Sequence, residues 1–299
     1  MTKPVPLMTR LLILVCIAFW SNQVLANTNV VVIEQRMQPG RDLSTEIISE
    51  TTITFKVLDD RGIIEESRGR LSHQATPVLV STRQSFRTTT GAINADGSFK
   101  AEVTFQKRDF HMTGPDGKRQ VIPDNPPLAG VKVGLVIDST GKFRDDSLVI
   151  SGMESKRAND LRGSLMSVIE QITLIPPIQL SEKQSHQQVH ALEILIPGID
   201  TIRFNVTVTS KLMGVVDGIA LISEAFDFKM LSPDQSFHVT FDGNGEGSQH
   251  YNIEKKVLSL EESTQKIRFT IDSPLGLVEG NMKAKTKQAT RFTPLGVFR

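Results

Sequence analysis

Glu182, His186 and His190 are spaced four residues apart in the segment SEKQSHQQVHALEI. On a helix that spacing stacks all three on one face, where a carboxylate and two imidazoles can hold a metal ion. The segment follows Pro176-Pro177, however, and runs into strand-like sequence. Residues four apart on a strand share a face but lie too far apart for one ion, so we read these three as surface polar residues. The stretch Asp242-Gly243-Asn244-Gly245-Glu246-Gly247 places oxygen-bearing side chains at positions one, three and five of a calcium loop and glycine at six. Position twelve is Ile253, where such a loop needs a bidentate glutamate. A glycine-rich bend in a curved sheet is the stronger reading. The other histidines, His73, His111, His238 and His250, show no ligand spacing. There is no Gly-x-Ser-x-Gly elbow, P-loop or dinucleotide fingerprint, and spacing singles out no pair of carboxylates. We expect no enzyme, no cofactor and no metal.

The elements around these residues are almost all strands. Residues 151–177 are the exception, with Ala158, Leu161, Leu165, Val168, Ile169, Ile172 and Ile175 recurring at three- and four-residue steps. That rhythm predicts an amphipathic helix, opened by a Ser151/Glu154 capping box and ended by the two prolines. Elsewhere apolar and polar residues alternate, as in Ile53-Thr54-Phe55-Lys56-Val57 and Phe99-Lys100-Ala101-Glu102-Val103. A strand with one dry and one wet face reads this way. The same pattern predicts strands at 30–37, 63–71, 78–90, 131–138, 202–208 and 219–230, and further ones around 237–241, 253–257, 267–271 and 277–286. Residues 114–130 read as a long loop, and 180–195 fit no pattern cleanly. Similar hairpins recur on both sides of the helix, with IDSTGKF and NIEKKVL as Lys-bearing turns. Duplication of one β-meander produces this order, and so does any chain of repeated hairpins; both readings stay open.

Lys3 and Arg10, an apolar run over residues 11–20 and the small-residue end Val24-Leu25-Ala26 form a secretory signal peptide, cut after Ala26. The run is too short to span a bilayer. Cys16, the single cysteine, follows Val15, which is too large for a lipoprotein cleavage box. The remaining 273 of 299 residues therefore fold without disulfides and without tryptophan, as one β-rich domain over 27–299. Within it, two similar halves would cover about 27–150 and 198–299, joined by the helix. Removing Lys3 and Arg10 leaves 32 basic against 33 acidic residues. Such balance argues against a nucleic-acid binder. The dense basic stretch at Lys283, Lys285 and Lys287 reads equally well as a solvated strand edge. A transmembrane β-barrel would need aromatic girdles, for which Tyr251 alone is insufficient.

The segment Val136-Ile137-Asp138-Ser139-Thr140-Gly141-Lys142-Phe143, the helix to Ile175-Pro176-Pro177, and the glycine-rich strand 243–247 leading to 251–258 carry a resemblance. In layout the chain resembles a group of uncharacterised bacterial secreted proteins related in architecture to the LolA/LolB lipoprotein carriers. The resemblance implies a mainly β fold: a large curved antiparallel sheet or half-barrel with one mid-chain helix. It also implies periplasmic, non-catalytic binding of a lipid, a lipoprotein acyl chain or another apolar ligand. Phe55, Phe105, Phe204, Phe226, Phe228 and Phe269, with Leu161, Leu165 and Ile169 from the helix, would line the cavity; ordinary core packing is the alternative for each. The rival reading is a structural module of the envelope that binds protein partners through its sheet edges.

Overall fold

The computed structural model describes residues 26–27, 30–33, 37–59, 76–114, 116–124, 127–159, 161–162, 178–196, 200–230, 238–273 and 276–292. The first strands in chain order are β1 (Ala26–Asn27), β2 (Val30–Ile33), β3 (Asp42–Asp59), β4 (Thr76–Thr90) and β5 (Phe99–Thr113). Then come β6 (Arg119–Val121), β7 (Lys132–Ile137), β8 (Val149–Ser151), β9 (Ile178–Ser181) and β10 (His186–Ile196). The chain continues through β11 (Asp200–Val216), β12 (Ile219–Met230), β13 (His238–Asn252), β14 (Val257–Ser273) and β15 (Gly276–Phe292).

Twelve of these strands form one antiparallel sheet. Strands β10 to β15 lie side by side in chain order, and so do β3, β4, β5, β7 and β8, with β6 folded back on β5. Pairing of β15 with β3 splices the two runs together. The sheet does not close, and β8 and β10 are its two ends. The fold is mainly β, as the alternation of wet and dry residues predicts. The turns obey their sequences: Asp217 and Gly218, between β11 and β12, both have positive φ, at 50° and 74°. A two-residue hairpin twisted to match its strands requires that conformation.

Strands β1, β2 and β9 make a separate small sheet that lies over one end of the large one. Val31, Ile33, Ile178 and Leu180 from it pack with Leu212, Ala220, Ile222 and Tyr251 of β11, β12 and β13. A second cluster, including Phe99, Leu135, Ile137 and Phe143, fills the opposite end around β5 and β7. Phe204, Val206, Phe226, Phe228, Val239 and Ile267 form a third cluster on the face of β11 to β14.

Several expectations need correction. Helical backbone begins at 155, not 151: Ser151 ends β8, paired with Lys132, so it cannot serve in a capping box. The Ala158 N–H instead donates to the Glu154 carbonyl, which makes Glu154 the residue at which the helix opens. Helix is described only for 155–159 and 161–162, and the rest of the expected helix lies outside the described residues, as does the expected strand at 63–71. The loop at 114–130 contains β6, turned back by Gly117 at φ 73°. The unassigned stretch 180–195 supplies β9 and β10. Residues 242–247 are not a bend but the middle of β13, in unbroken register with β12 and β14. Residues 253–256 are a turn, not a strand. Lys283, Lys285 and Lys287 are not at an edge either, because β15 is central. Lys285 pairs with Glu50, and Lys287 Nζ lies 2.5 Å from Glu262.

Candidate functional site

Directly paired residues of an antiparallel ladder project to one side. Phe228 pairs with Val206 and with Gly243, Gly243 with Ile267, and Ile267 with Met282. This row runs across five strands on one face. Phe226 and Phe204 belong to the same face, and every described member of the cluster comes from the large sheet itself. The rings of Phe204 and Phe241 are 5.1 Å apart although β12 separates their strands. Two strand spacings are about 9.6 Å. The rings therefore lean together over β12.

Glycines make room for these rings. A β-carbon on Gly245 or Gly247 would lie 3.2 Å from the Phe226 ring, and one on Gly280 would lie 2.1 Å from Phe269. Phe226 faces Gly245 directly, and Phe269 faces Gly280. Each ring thus lies down over the backbone opposite it, an aromatic cover for a bare strand. The alternating glycines of 243–247 occupy the inward positions, while Asp242, Asn244 and Glu246 point outward to solvent. Those oxygen-bearing side chains line one side of an extended strand and do not converge as a calcium loop requires.

Next to the apolar field the same face turns polar. Ser210, Gln249, Glu261, Ser263, Gln265 and Gln288 are all buried. Glu224 faces Ser210 on β11 and Gly247 on β13; Glu261 faces Gln249 and Gln288. Ser210 Oγ donates to Glu224 Oε1 at 3.3 Å. Burial pushes the Glu224 carboxyl up to about 7, against the hydrogen bonds from Ser210 and Gln249. Burial, then repulsion from Glu224, holds Glu261 well above the carboxylate range. Two carboxyls brought together this way hold protons near neutral pH.

No family model matches the chain. No curated protein matches it either. Among solved structures it is similar to one described as "Lipid-protein interactions in lipovitellin", at TM-score 0.42 and 10% identity. The likeness covers 88% of this chain and 26% of that one, so the chain spans about a quarter of the protein it matches.

Of the residues read from the sequence, the sheet brings together Phe204, Phe226, Phe228 and Phe269 on one face. Phe105 packs elsewhere, with the cluster around Phe99 and Leu135. Phe55 is in register opposite Gly280, and Leu161 is helical and half-buried. Leu165 and Ile169 lie outside the described residues. His186 and His190 are both on β10, and Glu182 is in the turn before it. Four strand residues separate the imidazoles' backbones by about 13 Å. Among the described residues no three His, Cys, Asp or Glu side chains converge as metal ligands. The pair Glu224 and Glu261 was not picked out by spacing. Its signal was phase: counting back by twos from Phe228 and Phe226 puts Glu224 on the apolar face.

Proposed function

We propose that the protein binds a lipid or another apolar ligand non-covalently, without catalysis, in the periplasm or outside the cell after loss of residues 1–26. The observation that supports this reading is the apolar row across β11 to β15, floored by glycines that thin the sheet beneath its rings. A concave face of aromatic and aliphatic side chains needs only a few polar groups to orient a ligand. The outer face is a poorer candidate: its broad groove of about 1140 Å³ is lined by Glu50, Glu246, Glu262, Lys285 and Lys287. The test is to purify the mature protein from its native host and analyse extracted lipids by mass spectrometry. We expect a stoichiometric lipid. Protein that carries none and also fails to bind a fluorescent fatty-acid probe would overturn the reading.

A second reading rests on β10. It is the last strand of the sheet and carries exposed Val189, and Met213, Val215 and Val216 at the end of β11 are exposed too. Such an edge can accept a strand from a protein partner. Crosslinking in cells from a photoreactive residue at 189 would capture that partner, and capture of none would remove this reading.

A further inference from the structure

The β13–β14 turn leans over the neighbouring ends of β3, β4 and β15, and between them lies a crevice with about 40 Å³ of free volume that opens to solvent. Met37, Leu43, Val257, Leu258 and Phe292 make its apolar walls. Its floor includes buried Thr45, Thr88 and Gln288. Arg41, Lys255 and Lys256 also line it, and all three are cationic.

Among the described residues the cations are gathered without ion-pair partners. The Arg41 guanidinium lies 5.3 Å from the centre of the Phe292 ring and the Lys255 ammonium 5.6 Å from it, so two positive groups share one aromatic ring. None of the three forms an ion pair among the described residues. Asp42, next to Arg41 in sequence, is already taken by Arg87 through two N–H donors. Like charges placed together on an apolar rim repel one another until an anion arrives.

The backbone around them is pre-set. Thr90 Oγ1 accepts the Arg41 N–H at 2.8 Å and donates to the Gln38 carbonyl at 2.5 Å. Asn252 Oδ1 accepts the Lys255 N–H at 2.8 Å and so fixes the turn. Lys256 sits at φ 51°, in the left-handed region that glycine or asparagine fills with less strain. A lysine held there against backbone preference points to a use for its side chain.

We propose that this crevice binds a long-chain fatty-acid carboxylate, with Arg41, Lys255 and Lys256 around the head group and the apolar walls around the first part of the chain. The crevice is small and open on one side, so it takes the head group and the first carbons while the rest of the chain lies outside it, and a rigid rim lowers the entropy cost of binding. The proposal rests on the lipid-binding reading above and gives it a site and a ligand class.

The experiment titrates the full mature chain with a dansyl-labelled undecanoic acid and, separately, with its uncharged methyl ester, at pH 8. We expect the acid to bind at least about tenfold more tightly than the ester, a margin of about 1.4 kcal/mol. In the surface variants Arg41→Glu and Lys255→Glu that preference disappears while ester binding is retained. Equal affinities for acid and ester in the wild type would remove the fatty-acid site and leave lipid binding standing. A preference for the acid that survives both charge reversals would remove it as well. Binding of neither probe by a chain that also carries no extracted lipid would overturn both readings, and binding of neither by a chain that does carry lipid would remove the fatty-acid site alone.

Discussion

Phe269 and Gly280 face each other across β14 and β15, and the ring occupies the place of the missing side chain. Gly280→Ala puts a methyl group 2.1 Å from Cζ, so the ring must lift from the sheet. Overpacking of this kind costs about 1–3 kcal/mol. Truncating the ring as well, in Gly280→Ala/Phe269→Ala, should recover part of that loss, because the second change removes the clash created by the first. Urea denaturation of the four chains gives the coupling directly, and strictly additive effects would contradict this account of the glycine. The buried carboxyls make a second residue-scale prediction. Below about pH 4.5 Glu224 is protonated in both the folded and unfolded chain, so it adds no pH dependence. As pH rises toward 7 the unfolded chain ionises while the folded site keeps its proton, and folding becomes less favourable. For a group raised from 4.5 to about 7 the loss is about 3 kcal/mol, and Glu261 extends the window further upward. His190, whose pKa burial lowers, has the opposite slope, since its charged form is favoured by the unfolded chain. Comparing wild type with Glu224→Gln/Glu261→Gln isolates the carboxyls: the wild type should lose more stability between pH 5 and pH 8. Parallel stability curves for the two proteins would refute the assignment.

At the scale of elements, the small sheet shows how short strands hold their place. Leu180 of β9 is completely buried among Val31, Ile33 and Tyr251, whereas its neighbour Gln179 is exposed. Leu180→Ala should cost about 2–5 kcal/mol by thermal or urea unfolding, because it opens a cavity between the two sheets. Gln179→Ala should stay within about 0.5 kcal/mol, and equal losses at both positions would mean that β9 does not dock as described. The same elements show what a sequence can reveal. Strands were legible where the inward residues are apolar, as from Phe99 to Phe105 and from Ile202 to Val208. They were hidden where the inward residues are glycine or polar. β13 vanishes from the pattern between Phe241 and Ile253, because Gly243, Gly245 and Gly247 take the inward positions. β14 blurs at Glu261, Ser263 and Gln265 for a similar reason, since the buried face is polar there. The crevice had no signal at all. Its rim joins Arg41 with Lys255 and Phe292, and one sequence carries no record of which distant strands will pair.

For the whole molecule the decisive pairing is the one between β3 and β15. It runs in antiparallel register from Leu277 opposite Asp59 to Phe292 opposite Leu43. Thr45 and Thr290 share a hydrogen bond at 3.1 Å, and Ser49 and Thr286 one at 3.3 Å. Residues so distant in sequence meet only at a large cost in chain entropy, yet this seam makes two runs of hairpins into one sheet. If the seam is held by its own ladder and not by the covalent connection, the chain can be divided between its two runs. Co-expressed pieces covering 27–162 and 178–299 should then copurify, because β15 finds β3 and β9 finds β2. Thr286→Pro in the second piece removes a backbone N–H from the centre of the sheet, where proline is not tolerated because it breaks a ladder hydrogen bond. The ring also collides with the strand alongside, so copurification should fail. Pieces that each fold as stable monomers, or that associate despite the proline, would mean that the two runs merely abut. A face shared by β11 to β15 would then owe nothing to β3, and the second piece alone, which lacks Arg41, would bind apolar probes as the full chain does.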